Sequence, residues 1–160
     1  MSDQQKQFRS ALGKFATGVT IITTRDDKGV AVGVTASSFN SVSLSPPLVL
    51  WSLGRDSANL DNFCSANGFN VHVLGAHQSA LSNTFARTGS DKFCGLDVTD
   101  PAGAYPRLPD YAALFRCTTK FQYDGGDHII FVGEVTSFES HDIEPLIYCG
   151  GQYLNARSDS

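Results

Sequence analysis

The sequence has no cluster of basic residues and no long apolar run. Its 160 residues include 12 Lys and Arg against 16 Asp and Glu, which gives a formal net charge of −4. Nucleic-acid-binding proteins usually carry a basic stripe, and a transmembrane helix needs ~20 consecutive apolar residues. The N-terminus, MSDQQKQFRS, also lacks the basic-then-apolar order of a signal peptide. We therefore expect a cytoplasmic protein that binds neither nucleic acid nor a membrane.

The spacing typical of metal sites and disulfide frameworks is missing as well. The four cysteines are far apart and form no C-x-x-C pair, whereas structural zinc sites and disulfide frameworks cluster their cysteines. His72 and His77 are five residues apart without an H-E-x-x-H motif. We expect no metal, and we expect free thiols at Cys64, Cys94, Cys117 and Cys149.

Several catalytic motifs are also absent. There is no G-x-G-x-x-G or G-x-x-x-x-G-K-[ST] for a nucleotide-binding α/β fold, and no G-x-S-x-G nucleophile elbow. Asp127 and Glu134 are seven positions apart, and on one strand this odd spacing should point their side chains to opposite faces. Hydrolytic and glycosidic mechanisms that need paired acids and bases are therefore not expected.

The chain is long enough for one domain with a core, which we place at residues 1–160, since 41% of the residues are hydrophobic. Phe8, Leu12 and Phe15 have the spacing of an amphipathic helix over 3–16, capped by Ser2 or Asp3 and ended by Gly18. The remaining expected elements are strands 18–24 and 30–37, a loop at 41–47, a buried strand 48–53, a helix within 54–67 capped by Asp56 or Ser57, an alternating strand 69–75, a helix 77–87, an irregular segment 88–110, strands 113–124 and 128–140, and a short strand 145–150.

Most consecutive strands in this pattern are joined by hairpins. Helices do not alternate with strands as they do in a doubly wound fold. The fold class we expect is therefore mainly β: an antiparallel barrel with flanking α-helices.

Small neutral polar residues end several of these strands. They lie in Gly-Val-Thr-Ala-Ser-Ser-Phe (33–39), in Ser52-Leu53 and in Ser57-Ala-Asn59. Hydroxyls and backbone amides without an acid–base pair suit a cofactor that brings its own reactivity, and a helix that begins with Ser suits a phosphate. The residues alone are equally compatible with an ordinary strand end and an ordinary helix cap.

The stretch Asp124-Gly-Gly-Asp-His128 joins the two long strands. Two glycines permit positive φ, so a tight turn is expected there. From the residues alone, His128 is either a turn residue or a group that faces a ligand at the mouth of the strand.

Seven segments occur in an order and at separations that resemble a known family. They are FATGVTIITT (15–24), GVTASSFNSVSLSPPLV (33–49), NFCSANGFNVHVL (62–74), SNTFAR (82–87), DKFCG (91–95), YDGGDHIIFVGEV (123–135) and PLIYCGGQY (145–153). Together they resemble the short-chain flavin reductase family, the reductase components of two-component flavin-dependent monooxygenases, which have an FMN-binding split-barrel fold. Residues 96–110 match no part of the family pattern.

The resemblance implies a homodimeric split β-barrel with FMN or FAD near the dimer interface. It also implies reduction of that flavin by NADH or NADPH and release of the reduced flavin to a partner monooxygenase. The given chain ends soon after Tyr153, so we expect it to lack the additional C-terminal domain of some relatives. No Arg cluster near His128 points to the 2′-phosphate of NADPH.

The family's site residues can be transferred onto matching positions. The resemblance assigns Thr35, Ala36, Ser37 and Ser38 to the edge of the flavin ring, and His128 to a catalytic positioning or charge-balancing role rather than to an obligatory acid. It assigns the other cofactor-binding positions to the ring and phosphate side (Ser52, Leu53, Ser57, Asn59), the phosphates (Phe85, Ala86, Lys92, Phe93), the nicotinamide nucleotide (Gly126, Asp127, His128) and the stacked rings (Tyr153).

Two other functions remain open from the sequence. One is a flavoprotein that retains FMN and oxidises or reduces an organic substrate, as in the related pyridoxamine-phosphate-oxidase-like barrels. The other is a non-catalytic barrel that binds a flavin.

Overall fold

The computed structural model describes residues 1–89 and 91–156, so Ser90 and residues 157–160 of the expected domain lie outside the described part. Its helices are α1 (Asp3–Leu12), α2 (Leu60–Ser65) and α3 (Ser79–Ala86), and a short 3-10 helix, Ala76–Gln78, precedes α3. Its strands are β1 (Thr17–Gly18), β2 (Thr20–Arg25), β3 (Ala31–Ala36), β4 (Asn40–Leu44), β5 (Pro47–Gly54), β6 (Gly68–Val73), β7 (Ala113–Gly125), β8 (His128–Ser140), β9 (Leu146–Cys149) and β10 (Gln152–Asn155).

Seven strands form one antiparallel sheet in the order β3-β2-β6-β7-β8-β5-β4, and a second sheet has the order β1-β9-β10. The prediction of a mainly β, antiparallel fold with flanking helices is therefore confirmed. Among the described residues β3 and β4 end the large sheet and are not paired with each other, so hydrogen bonds do not close it into a barrel. Its two halves nevertheless share one core, to which β3 contributes Val34 and β5 contributes Trp51.

Trp51 occupies the centre of this core and is fully buried. Its indole stacks on Phe131 of β8 at a centroid distance of 4.8 Å and meets Phe63 of α2 edge-on at 4.9 Å. Offset and edge-to-face ring pairs add roughly 0.5–1.5 kcal/mol each beyond the area they bury. The aromatic cluster thus fixes α2 against β5 and β8, the two strands that lead into the candidate site.

The segment between α3 and β7 has no regular secondary structure in its described part, as expected for 88–110, although Ser90 lies outside the described residues. Side chains of the sheet hold it in place. Thr23 Oγ1 donates to Pro106 O at 2.6 Å, and the Leu108 N–H donates to His72 Nε2 at 3.0 Å. His72 is fully buried, and desolvation lowers the pKa of its imidazole to about 4.

A buried ion pair anchors the same segment. The Arg116 guanidinium on β7 donates from Nε to Asp100 Oδ2 at 2.7 Å and from Nη2 to Asp100 Oδ1 at 3.1 Å. Burial raises the pKa of the Asp100 carboxyl, but hydrogen bonds from Arg116 and from the Ala102 N–H outweigh that effect, so the pKa is lowered. This geometry is bidentate, the arrangement in which an Arg–carboxylate pair is strongest.

Some sequence-based boundaries were wrong. Helix α1 is capped by Ser2 as expected, in a capping box with Gln5, but it ends at Leu12 with Gly13 as its C-cap, so residues 14–16 are not helical. The expected loop 41–47 contains strand β4, and strand β6 is buried on both faces instead of alternating. Strand β5 is only half-buried at several positions.

Candidate active site

Three neighbouring clefts form one groove along β3, α3 and the end of β5. The central cleft has a volume of about 520 Å³ and shares Leu53, Asp56 and Ser57 with a cleft of about 580 Å³ at the β7–β8 turn, called here the turn cleft. On its other side it shares Thr35 and Ala86 with a cleft of about 390 Å³ beside Tyr153, called here the tyrosine cleft. Each volume lies in the range of ordinary ligand pockets.

The central cleft combines an apolar wall with a charged rim. Val34, Leu53 and Phe85 line it together with the polar Thr35, Ser57 and Asn59, and Arg87, Lys92 and Asp56 supply charge. An apolar wall suits an aromatic ring system, and two cations outnumber the one carboxylate where a phosphate group would lie. These residues therefore fit a flavin mononucleotide in the composition of their donors and their apolar surface.

Glycine at position 33 is needed to form that wall. A Cβ atom there would lie 2.6 Å from Phe85 Cε1 and 3.0 Å from Phe93 Cζ. Phe85 is buried and meets Phe93 edge-on at a centroid distance of 4.9 Å. The absence of a side chain at Gly33 thus lets Phe85 of α3 pack closely against β3.

Lys92, predicted as a phosphate-binding cation, contacts the protein with two of its donors. Its Nζ donates to Gly33 O and to Phe85 O, each at 3.0 Å, and partial burial lowers its pKa. An ammonium group has three N–H donors. One donor thus remains for a ligand, and the other two connect the segment after α3 to β3 and to α3 itself.

The predicted loop Thr35–Ser38 lies between the central and tyrosine clefts, but its four side chains point to different partners. Thr35 Oγ1 donates to Ser82 O at 2.7 Å. Ser38 Oγ accepts from the Ser52 N–H at 2.9 Å and donates to Ser52 O at 3.2 Å. The Ala36 methyl is buried in the core, and Thr35 and Ser37 line the tyrosine cleft.

A hydroxyl has a single hydrogen to donate. Thr35 and Ser38 therefore donate within the protein and can only accept hydrogen bonds from a ligand. Ser52 lines none of these clefts and instead holds the loop through its backbone.

The predicted cap at Ser57 or Asp56 is wrong, because Asn59 is the N-cap residue of α2 and makes no side-chain capping hydrogen bond. Ser57 Oγ instead accepts from the Asn59 N–H at 3.2 Å. With only six residues, α2 has too small a dipole to support the phosphate argument made from the sequence. Ser57 and Asn59 remain in the central cleft as polar side chains.

Tyr153 on β10 closes the tyrosine cleft against α3. Its hydroxyl lies 2.8 Å from Ser82 Oγ and donates to Asn83 Oδ1 at 2.8 Å. The ring packs on Tyr148 of β9 at a centroid distance of 5.6 Å. The small sheet is thereby tied to the helix that carries Phe85.

The Asp124–His128 turn is tight, as predicted, with Gly126 at a φ of +75° and Gly125 paired with His128. His128 lies 2.8 Å through Nδ1 from Asp127 Oδ1, and the hydrogen bond from His128 lowers the pKa of the Asp127 carboxyl. Both side chains line the turn cleft, whereas Gly126, a predicted nicotinamide-binding residue, does not line it and only accepts a hydrogen bond from Arg55.

Sequence reasoning missed three cationic residues of the groove. Arg55 donates from Nε to Gly126 O at 2.7 Å, pairs with Asp124, and thereby braces the turn. Arg87 lines the central cleft and Arg9 lines the turn cleft. Arg87 lay inside the matched segment SNTFAR and could have been considered, but Arg9 comes from α1 and only the folded chain brings it to the turn.

Two structural absences concern the described residues alone. In residues 1–89 and 91–156 no three His, Cys, Asp or Glu side chains are grouped so as to hold a metal ion. None of the described helices is long and apolar enough to cross a membrane.

The chain belongs to the family described as "Flavin reductase like domain", which matches residues 12–157. The FMN reductase (NADH) SmoA of Agrobacterium fabrum is 42% identical over 151 residues, which cover 94% of this chain and 86% of that protein. The reductase component of a flavin-dependent trigonelline monooxygenase of Acinetobacter baylyi is 39% identical over 97% of this chain and 50% of that protein.

A solved structure is similar over nearly the whole chain. The NADH:FAD oxidoreductase of Streptomyces globisporus, in complex with NAD and FAD fragments, superposes with a TM-score of 0.89 at 35% identity, covering 98% of this chain and 94% of that one. The chain spans about half the length of two of the curated relatives that it matches.

Proposed function

We propose that the chain is an NAD(P)H-dependent flavin reductase that reduces FMN or FAD and supplies the reduced flavin to a partner monooxygenase. The observation that carries the proposal is the continuity of the groove, because the central cleft and the turn cleft share Leu53, Asp56 and Ser57. A flavin in the first cleft and a nicotinamide nucleotide in the second would be held side by side. The activities of two relatives, an FMN reductase that uses NADH and the reductase component of a monooxygenase, support it.

When bound, the flavin supplies the acceptor for the hydride that the nicotinamide carries. The protein then has to hold the two groups together, which makes the transfer effectively intramolecular. Leu53 and Phe85 exclude water from one wall of the central cleft, and Lys92 and Arg87 offer positive charge at its rim. His128, oriented by Asp127, positions the nicotinamide nucleotide without acting as an acid or base.

The remaining predicted residues take supporting roles in this proposal. The Thr35–Ser38 loop offers Ser37 and its backbone to the flavin ring, since two of its hydroxyls donate inside the protein. Tyr153 fixes α3, and Phe93 supports Phe85.

We further propose that the chain acts as a homodimer, as the resemblance implies. Helix α1 has no buried residue, and Phe8, Leu12 and Phe15 are 65%, 57% and 75% exposed. A second copy would cover such a surface. Light scattering after size-exclusion chromatography tests whether the molar mass in solution is that of two chains.

The cytoplasmic location remains a prediction.

The experiment that tests the proposed function is steady-state oxidation of NADH with FMN, FAD and riboflavin in turn, repeated with NADPH. Turnover that depends on added flavin is the expected result, and the ratios of kcat/KM identify the preferred flavin and nicotinamide. No oxidation with any flavin would contradict the proposal. Flavin that remains bound through gel filtration and does not exchange would indicate a flavoprotein acting on an organic substrate instead.

A further inference from the structure

The turn cleft contains one cation that makes no hydrogen bond or ion pair with any residue that the structure describes. Four charged side chains line this cleft besides His128: Arg9, Arg55, Asp56 and Asp127. Arg55 pairs with Asp124 and Asp127 contacts His128. Among residues 1–89 and 91–156 the guanidinium of Arg9 makes no hydrogen bond or ion pair.

The backbone of Arg9 is nevertheless fixed. Arg9 lies in the last turn of α1, where its carbonyl accepts from the Gly13 N–H at 3.0 Å. Gly13 O in turn accepts from the Gly150 N–H at 2.8 Å and from Cys149 Sγ at 3.5 Å. The end of α1 is therefore attached to the β9–β10 connection, and this attachment holds Arg9 at the cleft while its side chain stays free.

We propose that Arg9 binds a phosphate group of the nicotinamide dinucleotide, an inference that rests on the proposed function. Asp56 and Asp127 face the same cleft and repel an anion, and the charge of Arg55 is already balanced by Asp124. A further positive charge would offset this repulsion of a dinucleotide. Arg9 provides it, in the planar form that meets two phosphate oxygens at once.

The cations along the groove belong to two different clefts, so they can bind different anionic groups. Lys92 and Arg87 line the central cleft, and Arg9 lines only the turn cleft beyond Leu53 and Ser57. Substitution of Arg9 should therefore affect the nicotinamide dinucleotide and leave the flavin unaffected.

The test compares Arg9→Gln and Arg9→Lys with the wild-type chain, and uses Lys6→Gln as a matched control. Lys6 lies on the same exposed helix, loses the same charge and does not line the cleft. We expect Arg9→Gln to raise KM for NADH by roughly tenfold, the effect of losing one charge-assisted hydrogen bond, with kcat and the flavin Kd unchanged. Arg9→Lys should recover part of the loss, and Lys6→Gln should behave as wild type.

Two further readouts do not depend on turnover. Calorimetric titration with NAD⁺ should show the same weakening for Arg9→Gln, and the wild-type Kd should rise with salt more steeply than that of the variant. An equal rise in KM for NADH and NADPH assigns Arg9 to the pyrophosphate. A larger rise for NADPH assigns it to the 2′-phosphate. Either result supports the proposal.

Two results would overturn it. One is an unchanged NAD⁺ Kd together with an unchanged KM in Arg9→Gln, with far-UV circular dichroism confirming that the variant is folded. The other is a weaker flavin Kd with normal nicotinamide kinetics, which would assign Arg9 to the flavin. If the wild-type chain oxidises no NAD(P)H with any flavin, the proposed function fails, and the NAD⁺ titrations still decide the role of Arg9.

Discussion

The substitution Gly33→Ala tests whether close contact between β3 and α3 forms the central cleft. The new methyl would lie 2.6 Å and 2.8 Å from two carbons of the Phe85 ring and 3.0 Å from Phe93 Cζ. Contacts between carbon atoms are favourable at about 3.5–4.0 Å, so the Phe85 ring has to move by roughly 1 Å. That ring is 1% exposed and packed on Phe93, and it lines the cleft.

Overpacking of this kind costs about 1–3 kcal/mol of folding free energy, and the displaced ring should also narrow the cleft. We expect urea unfolding to give a lower midpoint at unchanged slope, and fluorescence titration with FMN to give weaker binding. Gly18→Ala is the matched control, because a Cβ at Gly18 meets nothing within 4 Å. Adding Phe85→Leu to Gly33→Ala should relieve part of the overpacking in a double-mutant cycle. If Gly33→Ala is as stable as Gly18→Ala and binds FMN normally, the tight approach of α3 to β3 does not exist.

Three further predictions concern single side chains. Burial lowers the His72 pKa to about 4, so between pH 6.5 and 4 the unfolded chain takes up a proton that the folded chain does not. The contribution of neutral His72 to the free energy of unfolding should be fully present above pH 6.5 and should fall by about 3 kcal/mol at pH 4. If urea unfolding of His72→Gln shows an equally steep loss of stability with falling pH, His72 is not its cause. Ser38→Val should lower both stability and flavin affinity because the exposed Ser52 N–H loses its protein acceptor, at a cost of about 0.5–1.5 kcal/mol. Ser37→Val, by contrast, should lower flavin affinity alone, and unchanged flavin titrations in both variants would refute the role of the loop. His128→Ala should raise KM for NADH several-fold at constant flavin Kd, and the reverse pattern would move His128 to the flavin side.

Local patterns predicted the elements whose signals lie within a few residues. Ser2, one of the two caps predicted for α1, and the two hairpins were correctly anticipated, because cap and turn residues specify them without reference to the rest of the chain. Strand β4 was missed, since Ser and Pro residues favour a loop and its strand structure comes from pairing with β5. Strand β6 was not recognised as buried on both faces, because its second cover is the irregular segment held by His72.

The candidate site could be predicted from local patterns only in part, because the positions of its side chains depend on strand register. Gly54 pairs with His128 at the far end of the β5–β8 ladder. That register brings Arg55, the next residue, to the Asp124–His128 turn, where its N–H donates to Asp127 O and its side chain braces Gly126. No spacing in the sequence connects positions 55 and 126, and a shift of one residue in register would turn Arg55 to the opposite face. The family resemblance could transfer residues that recur in its motifs, such as His128, but not their support by Arg55. The groove residues that recur in family motifs could thus be predicted from the sequence. The contacts that orient them are set by pairing between strands distant in the chain, and Arg9 reaches the groove only through folding.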